Sequence, residues 1–329
     1  MLQSYDWRMT LQSAPSASLE LDAHTLRIVR AIVEHGSITA AAGALGYSQP
    51  AVSQHLRRVE ARIGMPLVAR SGRGIRLTEA GRVLARHAAT ITTALDAAAG
   101  ELAELSGLRS GRVRLASFPT ASSTLVPQVL RTLAARHPGI SVSYLEAEPP
   151  EAVDAVRSQR ADLAITFSYP GDRIDPHGES AKGLVVVPLW SDEMKLVVPA
   201  GHPVAASEEA SLGELAGESW IAGCPRCRGH LLQLAEASGF RPGIAYETDN
   251  ATAVLGMVAA GLGVALLPSL ALATAGIPRG VAVRTTTTRD TRTLHLVASH
   301  GSDQVPAIAA TASAVLALDG AAWKLQPAA

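Results

Sequence analysis

The stretch Ser48-Gln-Pro-Ala-Val-Ser-Gln-His-Leu-Arg-Arg-Val-Glu-Ala-Arg-Ile63 decides the fold of the amino-terminal part of the chain. Its apolar residues recur at spacings of four, three and four and share one helical face: Val52, Leu56, Val59 and Ile63. The opposite face carries Pro50, Ser53, Gln54 and Arg57. Ser and Gln side chains can hydrogen-bond to base edges, and Arg can bind guanine or a phosphate. The outer face of this helix is therefore suited to the major groove of DNA.

Two shorter helices are predicted before this stretch. Gly36 should end the first helix, and Ser37 should cap the second, which runs from Ile38 to Leu45. Ser48 lies at a cap position, and Pro50 falls in the first turn, where a missing N–H group has no cost. A tight helix–turn–helix with such a second helix is typical of DNA-binding modules.

A short hairpin is predicted next, with strands in Pro66–Arg70 and Ile75–Leu77 around a glycine-containing turn. Its tip carries Arg70, Arg73 and Arg76, as a wing that contacts phosphates or the minor groove would. Residues 21–81 contain eight arginines and four acidic residues, a net charge of +4, in a chain whose 29 basic and 29 acidic residues balance. A small helical domain with a solvated polar face is the alternative, but the wing, the capped turn and the local charge favour DNA binding.

The composition of the chain excludes several classes of protein. A length of 329 residues suggests two or three domains, and 47% hydrophobic with 18% charged residues excludes general disorder. Two cysteines cannot form a disulfide framework, and no signal peptide or long apolar span is evident, so a cytoplasmic protein is expected. Gly46-Tyr-Ser-Gln-Pro50 nearly matches G-x-S-x-G, but Pro replaces the last Gly and the context is helical. No enzymatic activity and no cofactor are expected.

A long helix is predicted from Thr78 to about Leu105. Its apolar residues repeat at alternating spacings of four and three: Leu84, Ala88, Ile91, Leu95, Ala98, Leu102 and Leu105. Such a seam is typical of a helix that pairs with a second copy, which predicts a homodimer with Leu84, Ile91, Leu95 and Leu102 in the interface. The alternative is that the stripe packs on its own domain.

From Gly111 onward, short apolar strands alternate with amphipathic helices, which predicts an α/β architecture with mainly parallel sheets. The predicted strands include Leu163–Phe167, Leu184–Leu189 and Lys195–Pro199. A solute-binding α/β protein with an unrelated helical cap is the alternative, and it would need an export signal.

The sequence resembles the LysR-type transcriptional regulators. The resemblance lies in Gly36-Ser-Ile-Thr-Ala-Ala-Ala, Leu45-Gly-Tyr-Ser-Gln-Pro-Ala-Val-Ser53, Arg57-Arg-Val-Glu60, Gly64-Met-Pro-Leu67 and Arg70-Ser-Gly-Arg-Gly-Ile-Arg-Leu-Thr-Glu-Ala-Gly81. Val59 and Val68 depart from the family's usual Leu and Phe, as small core changes. The DNA-binding residues expected here are Ser48, Gln49, Pro50, Ser53, Gln54, Arg57, Arg58, Arg70 and Arg73.

The resemblance implies an α/β multidomain fold: an N-terminal winged helix-turn-helix, a long linker helix, and a two-lobed α/β effector domain like a type 2 periplasmic binding protein. The expected parts are a flexible tail (1–20), the DNA-binding domain (21–78), the dimerisation helix (79–108) and the effector domain (111–320), with lobe 1 at about 111–185 and 282–320 and lobe 2 at about 186–281. The implied partners are a partly palindromic double-stranded DNA operator, a small-molecule effector, a tetramer of two dimers and RNA polymerase.

A cleft between the lobes is where the effector is expected. Ser117-Phe-Pro-Thr-Ala-Ser-Ser123 lies between a strand and a helix, where hydroxyls and free N–H groups could bind an anion, although ordinary capping would explain the same residues. The candidate effector-binding residues are Ser117, Thr120, Ser122, Thr166, Cys224, Arg226 and Asn250.

Cys224-Pro-Arg-Cys227-Arg-Gly-His230 follows a predicted strand and begins a helix. It could be a cleft loop in which Arg226 or Arg228 faces an anionic ligand. It could also be a thiol–disulfide sensor, because C-x-x-C at a helix start lowers a thiol pKa. Metal binding through Cys224, Cys227 and His230 lacks a fourth ligand, so no metal is expected. A buried structural pair is the fourth interpretation.

Overall fold

A computed structural model describes residues 21–71, 74–105, 111–172 and 177–328. The chain divides into two compact units, Met1–Thr92 and Thr93–Ala329, named here the helical unit and the α/β unit. The predicted tail, 1–20, lies outside the described residues. The first elements are α1 (Ala23–His35), α2 (Ile38–Ala44), α3 (Gln49–Ile63), β1 (Val68–Ser71), β2 (Gly74–Leu77) and α4 (Glu79–Leu105), which begins in the helical unit and ends in the α/β unit.

Capping residues set the ends of the first three helices. The Ala40 N–H group donates to the Ser37 side chain at the start of α2, and the Ala51 N–H group donates to Ser48 at the start of α3. Gly36 and Gly64 end α1 and α3 in the left-handed conformation that glycine adopts without steric cost. The predicted helix–turn–helix is therefore confirmed.

The core of the helical unit is built on the apolar face of α3. Val52, Leu56 and Val59 are each 1% exposed, and they belong to one cluster with residues of α1, α2, the hairpin and the start of α4. This burial fixes which face of α3 is left outside, because the helix can present only one side to the core.

The α/β unit contains the remaining elements. In chain order they are β3 (Gly111–Ser117), α5 (Pro119–Ser123), α6 (Leu125–Arg136), β4 (Ile140–Glu146), α7 (Pro149–Arg157), β5 (Leu163–Ser168), α8 (His177–Ser180), β6 (Val185–Pro199), β7 (Glu209–Ala210), β8 (Ser219–Ala222), α9 (Pro225–Ala237), β9 (Gly243–Glu247), α10 (Ala251–Ala259), β10 (Val264–Pro268), α11 (Ser269–Thr274), β11 (Val281–Thr286), β12 (Thr291–Ala298), α12 (Pro306–Leu316) and β13 (Gln326–Pro327).

Strand β6 joins two groups of strands. The order is β4-β3-β5-β12-β6 in the first group and β6-β10-β8-β9 in the second, which β11 and β7 extend. The expectation of mainly parallel sheets is wrong, because β12 runs antiparallel to β5 and β6, and β6 runs antiparallel to β10 and β11. The chain passes from the first group to the second along β6 and returns to the first group before β12. The strand at each crossing, β6 or β12, runs antiparallel to its neighbours.

The two strands predicted at Leu184–Leu189 and Lys195–Pro199 form the single strand β6. Polar Ser191-Asp-Glu193 separated them in the sequence, but Asp192 is buried opposite Arg292 of β12. The part of β6 up to Glu193 pairs with β12 of the first group, so the first crossing lies later than the expected limit at residue 186. Strand β11 pairs with the later part of β6 in the second group, so the second crossing lies later than the expected limit at residue 281.

The main apolar cluster contains Phe118 and Phe167 of the first group together with Cys224 and Leu270 of the second group. Trp220 belongs to a separate cluster of the second group. No helix in the described ranges is both long and apolar enough to cross a membrane.

Candidate DNA-binding face and effector cleft

The outer face of α3 is exposed and polar. Exposed side chains at its start and along it are Ser48, Gln49, Pro50, Gln54, Arg57 and Arg58, and Ser53 is half-buried. The Gln49 Nε2 group donates to Ser53 Oγ over 2.8 Å, which holds one pair of amide and hydroxyl groups together on this surface. The face combines hydrogen-bonding groups with two guanidinium groups, as a helix that contacts base edges and phosphates requires.

The orientation of α3 against α1 depends on His55. Its Nε2 atom lies 2.8 Å from Thr25 Oγ1, and its ring contacts His24 edge-on at 4.7 Å between centroids. Burial lowers the pKa of His55, which favours the uncharged form of the ring beneath the outer face.

The β1–β2 hairpin is attached to α3 through Glu60. Its Oε1 atom accepts hydrogen bonds from the N–H groups of Leu67 (2.7 Å) and Val68 (3.2 Å). Arg76 in β2 is exposed, whereas Arg73 and the side chain of Arg70 lie outside the described residues. This role of Glu60 was not predicted, although an acidic residue followed within eight positions by a hairpin could have indicated it.

The linker helix α4 changes character along its length. Leu84 and Ala88 are buried in the core of the helical unit, so Leu84 is not available to a partner chain as predicted. Ile91, Leu95 and Leu102 are 42%, 46% and 66% exposed. The later half of the seam thus leaves large apolar side chains uncovered within the described chain.

A cleft lies between the two strand groups of the α/β unit. It contains about 720 Å³ of space free of atoms, part of it open to solvent. Much of its polar and aromatic lining comes from the carboxyl ends of β3, β5, β8 and β9 and the residues that follow them: Phe118, Thr120, Phe167, Tyr169, Cys224, Cys227, Thr248 and Asp249. Ligands of α/β sheets commonly bind at this position.

Two of the predicted effector residues line this cleft, namely Thr120 and Cys224. Ser117 does not, because its hydroxyl is buried against β4, 2.8 Å from the Tyr144 hydroxyl. Ser122 also contacts the Tyr144 hydroxyl, and its Oγ donates to the Phe118 carbonyl oxygen over 3.1 Å. Both serines therefore stabilise the β3–α5 connection instead of facing a ligand.

Three further residues predicted to bind the effector do not line this cleft. Thr166 is buried with its hydroxyl 2.8 Å from His177 Nε2, since side chains alternate along β5 and Phe167 takes the cleft side. Arg226 is 3% exposed and pairs with Asp172 at 2.9 Å. Asn250 caps α10 by accepting from the Ala253 N–H group, and it does not line the cleft.

Two carboxylates are among the cleft residues that were not predicted from the sequence. Glu148 and Asp249 both line it, and burial raises the pKa of each. Asp249 lies two residues after the end of β9, and Glu148 precedes α7. The rule that ligands bind at the carboxyl ends of parallel strands could therefore have identified Asp249. Glu148 is half-buried and Asp249 is exposed. A partly desolvated carboxylate such as that of Glu148 favours a ligand that donates hydrogen bonds or carries positive charge.

The C-x-x-C segment forms the first turn of α9, with Cys224 at its N-cap. Cys224 caps the helix, and its Sγ atom lies 3.0 Å from Cys227 Sγ. His230 stacks on Tyr169 at 3.9 Å between ring centroids. Within the described chain, the groups placed to share a metal ion are Glu148, Cys224 and Asp249, whose ligand atoms lie within 4.8 Å of one another. The interpretation in which Arg228 faces a ligand is not supported, because Arg228 pairs with Glu247 at 2.9 Å.

Comparison with known proteins agrees with this geometry. Residues 23–82 match the model described as the bacterial regulatory helix-turn-helix protein, lysR family, and residues 106–318 match the LysR substrate binding domain. An uncharacterised HTH-type transcriptional regulator of Bacillus subtilis, YybE, is 31% identical over 71% of this chain and 77% of its own.

Two solved structures share the fold. A full-length OxyR variant from Pseudomonas aeruginosa, with one cysteine replaced by aspartate, has a TM-score of 0.70 at 21% identity, covering 91% of this chain and 96% of its own. Full-length CbnR complexed with its target DNA has a TM-score of 0.50 at 24% identity, covering 92% and 100%. The two family models together cover both units, and the chain belongs to the LysR family of DNA-binding transcriptional regulators with an effector-binding domain.

Proposed function

We propose that this regulator binds a partly palindromic operator with α3 in the major groove and the β1–β2 wing on the adjacent backbone. The observation that carries the proposal is the division of α3 into a buried apolar face and an exposed face with Gln54 and Arg57. Gln54 is suited to base edges, and Arg57 to guanine or phosphate. In this proposal Ser48, Gln49, Pro50 and Ser53 contact the DNA near the start of the helix, and Arg58, Arg70 and Arg73 contact phosphates.

A two-fold-related operator requires two copies of α3. The exposed apolar side chains of α4 support a homodimer, with Ile91, Leu95 and Leu102 in the interface. Assembly of two dimers into a tetramer, contact with RNA polymerase and a cytoplasmic location follow from the family and belong to the same proposal.

The inter-lobe cleft is proposed to bind a small-molecule effector. Its walls are largely apolar, and its few polar groups converge from both strand groups, with Thr120 and Glu148 on one side and Cys224 and Asp249 on the other. Because Glu148 is partly buried and Asp249 is exposed in the same part of the cleft, the effector is expected to present a hydrogen-bond donor or a cationic group to these carboxylates. Ligand binding between lobes can shift the arrangement of the two DNA readers.

Operator binding is tested by fluorescence anisotropy with labelled intergenic DNA upstream of the gene, at several salt concentrations. Affinity should fall steeply as salt rises, because phosphate contacts release counterions. Arg57→Ala should weaken specific binding about 10- to 100-fold. Arg241→Ala is the matched control, since it removes the same charge from an exposed position in the α/β unit. Equal affinities for both variants would contradict the proposed docking face.

A further inference from the structure

One thiol and two carboxyl groups from three separate segments of the chain meet in the cleft of the α/β unit. Glu148 follows β4 in the first strand group, whereas Cys224 follows β8 and Asp249 follows β9 in the second group. A ligand atom of each residue lies within 4.8 Å of the ligand atoms of the other two. All three residues line the cleft, so a small solute that enters it can reach all three groups at once.

The two carboxyl groups lack a cationic partner in the part of the chain that the structure describes. Neither Glu148 nor Asp249 forms an ion pair with any of these residues, and Arg292, which lines the same cleft, pairs with Asp192 instead. The Oε2 atom of Glu148 is also buried without a hydrogen-bond partner there. A buried carboxylate oxygen costs free energy unless a donor or a cation satisfies it, so this place in the cleft is suited to a positively charged ligand.

The kinds of atom that meet here select a class of cation. Magnesium and calcium ions take oxygen ligands and copper(I) favours sulfur, whereas zinc takes both cysteine sulfur and carboxylate oxygen. An organic ammonium group would pair with the carboxylates but would gain nothing from the Cys224 thiol beside them, which is 4% exposed. Ligand atoms around a tetrahedral zinc ion lie about 3–4 Å apart, and rotation of the exposed Asp249 side chain is enough to reach that spacing.

We propose that Glu148, Cys224 and Asp249 bind a zinc ion whose fourth coordination position is open to the cleft. On binding, the proton of the Cys224 thiol passes to solvent and a sulfur–zinc bond forms, while both carboxylates stay ionised. Three protein ligands and one open position characterise zinc sites that accept a further ligand. The metal site considered from the sequence used His230, and in the structure the two carboxylates take its place.

A zinc ion at this position connects the two strand groups. One ligand, Glu148, belongs to the first group, and the other two belong to the second, so the bound ion stabilises the folded α/β unit by holding both groups at the cleft. Because the ligands come from distant segments, the unfolded chain does not present them together, and zinc binds the folded chain in preference. Only an effect of zinc on operator affinity rests on the proposed function; the coordination chemistry does not.

Titration of the untagged full-length protein, reduced and stripped with a chelator, with cobalt(II) and then zinc(II) tests this site. Cobalt should give a sulfur-to-metal charge-transfer band that saturates at one ion per chain and disappears when zinc displaces it. Cys224→Ser should abolish the band, whereas Cys227→Ser should retain it. Glu148→Gln and Asp249→Asn should each weaken zinc binding at least about tenfold. Glu247→Gln is the matched control, because it removes an exposed carboxylate two positions before Asp249 and should bind zinc like wild type.

The melting temperature gives a second measurement that does not depend on the thiol. Zinc should raise the melting temperature of wild type and of Glu247→Gln, and it should raise that of Asp249→Asn much less. Because Asp249 is exposed, this variant is expected to fold even where replacement of the buried Cys224 impairs folding.

Three outcomes would overturn the proposal. The first is wild-type protein that shows neither a saturable cobalt band nor a rise in melting temperature with zinc. The second is a band that Cys227→Ser abolishes and Cys224→Ser retains, which would assign the sulfur ligand to the other cysteine. The third is equal zinc affinity in Glu148→Gln, Asp249→Asn and wild type, which would exclude the carboxylates as ligands. Anisotropy of the chelator-treated protein on operator DNA measures the proposed function separately from zinc binding.

Discussion

Arg292 and Asp192 form an ion pair in which both side chains are buried, at 2% and 0% exposure. They face each other across the β12–β6 pairing, and Arg292 Nε donates to Asp192 Oδ2 over 2.9 Å. The guanidinium group also lies 4.6 Å from the ring centroid of Phe167 and 5.0 Å from that of Phe118. Because Arg292 lines the cleft, this pair links the wall of the ligand site to the strand that joins the two groups.

Breaking this pair should strongly destabilise the α/β unit. Asp192→Ala leaves a buried guanidinium group unpaired, which costs about 3–5 kcal/mol in proteins generally. Asp192→Asn should cost less, because an amide oxygen can still accept from the Leu270 N–H group, which lies 3.0 Å from Asp192 Oδ1. Urea unfolding followed by tryptophan fluorescence measures both changes.

An exposed ion pair provides the control for Asp192. Glu209 pairs with Arg289, and the two side chains are 45% and 69% exposed. Glu209→Ala should change the free energy of unfolding by less than about 1 kcal/mol, because solvent screens such pairs. If Asp192→Ala were as mild as Glu209→Ala, the buried pair would not have the structural role assigned to it.

Gly81 allows the hairpin to approach the start of α4. A β-carbon on Gly81 would lie 2.1 Å from the Leu67 carbonyl oxygen, and that oxygen already accepts from the Thr78 N–H group. Gly81→Ala should therefore destabilise the helical unit by about 1–3 kcal/mol through overpacking. Gly43→Ala is the matched control, since a β-carbon there meets nothing within 4 Å and should be neutral or stabilising. Thermal unfolding by circular dichroism distinguishes the two, and equal melting temperatures would contradict this account.

The sequence predicted the helical unit well because its signals are local. Val52, Leu56 and Val59 follow the helical period, and Gly36 and Ser48 occupy end positions whose conformation depends on a few neighbouring residues. Each prediction needed only contacts between residues close in the chain. The outer face of α3 then followed from the buried face.

The cleft was harder to predict because its lining depends on contacts between distant segments. Thr166 and Phe167 are adjacent, and only the pairing of β5 with β3 and β12 decides which of them faces the cleft. The partner of Arg226 is Asp172, which lies 54 positions away. Periodicity and capping rules carry no information about such pairs, so polar residues near a helix start were mistaken for ligand contacts.

The exposed half of the α4 seam should determine association. Leu95→Glu places a charge in the predicted interface, where it would be desolvated, and should weaken dimerisation at least about tenfold. Val83→Glu is the control, because Val83 is 39% exposed on the same helix but lies off the seam. Sedimentation velocity over a range of concentrations measures both. A Leu95→Glu protein that associates like wild type would place the interface elsewhere.

Acid should destabilise the α/β unit through its buried histidines. Burial lowers the pKa of His230 to about 4 from an ordinary value of 6.5. The unfolded chain therefore binds a proton near pH 6.5 that the folded chain binds only near pH 4. The neutral ring makes its full contribution to the free energy of unfolding above about pH 6.5. This contribution is lost as the pH falls toward 4, and the loss is at most about 3 kcal/mol. Burial lowers the pKa of His177 and His295 to about 4 as well, so their contributions fall in the same range.

Replacing His230 separates its contribution from the others. His230→Phe keeps a ring against Tyr169 and removes the titrating group, and neither ring nitrogen of His230 has a hydrogen-bond partner among the described residues to lose. The variant should match wild type at pH 7.5 and be more stable at pH 5, because protonation of its unfolded state no longer competes with folding. Urea unfolding at the two pH values gives the difference, with exposed His300→Gln as the control. Parallel stability curves for His230→Phe and wild type would show that the ring has the same pKa in the folded and the unfolded chain, contrary to the effect expected from its burial.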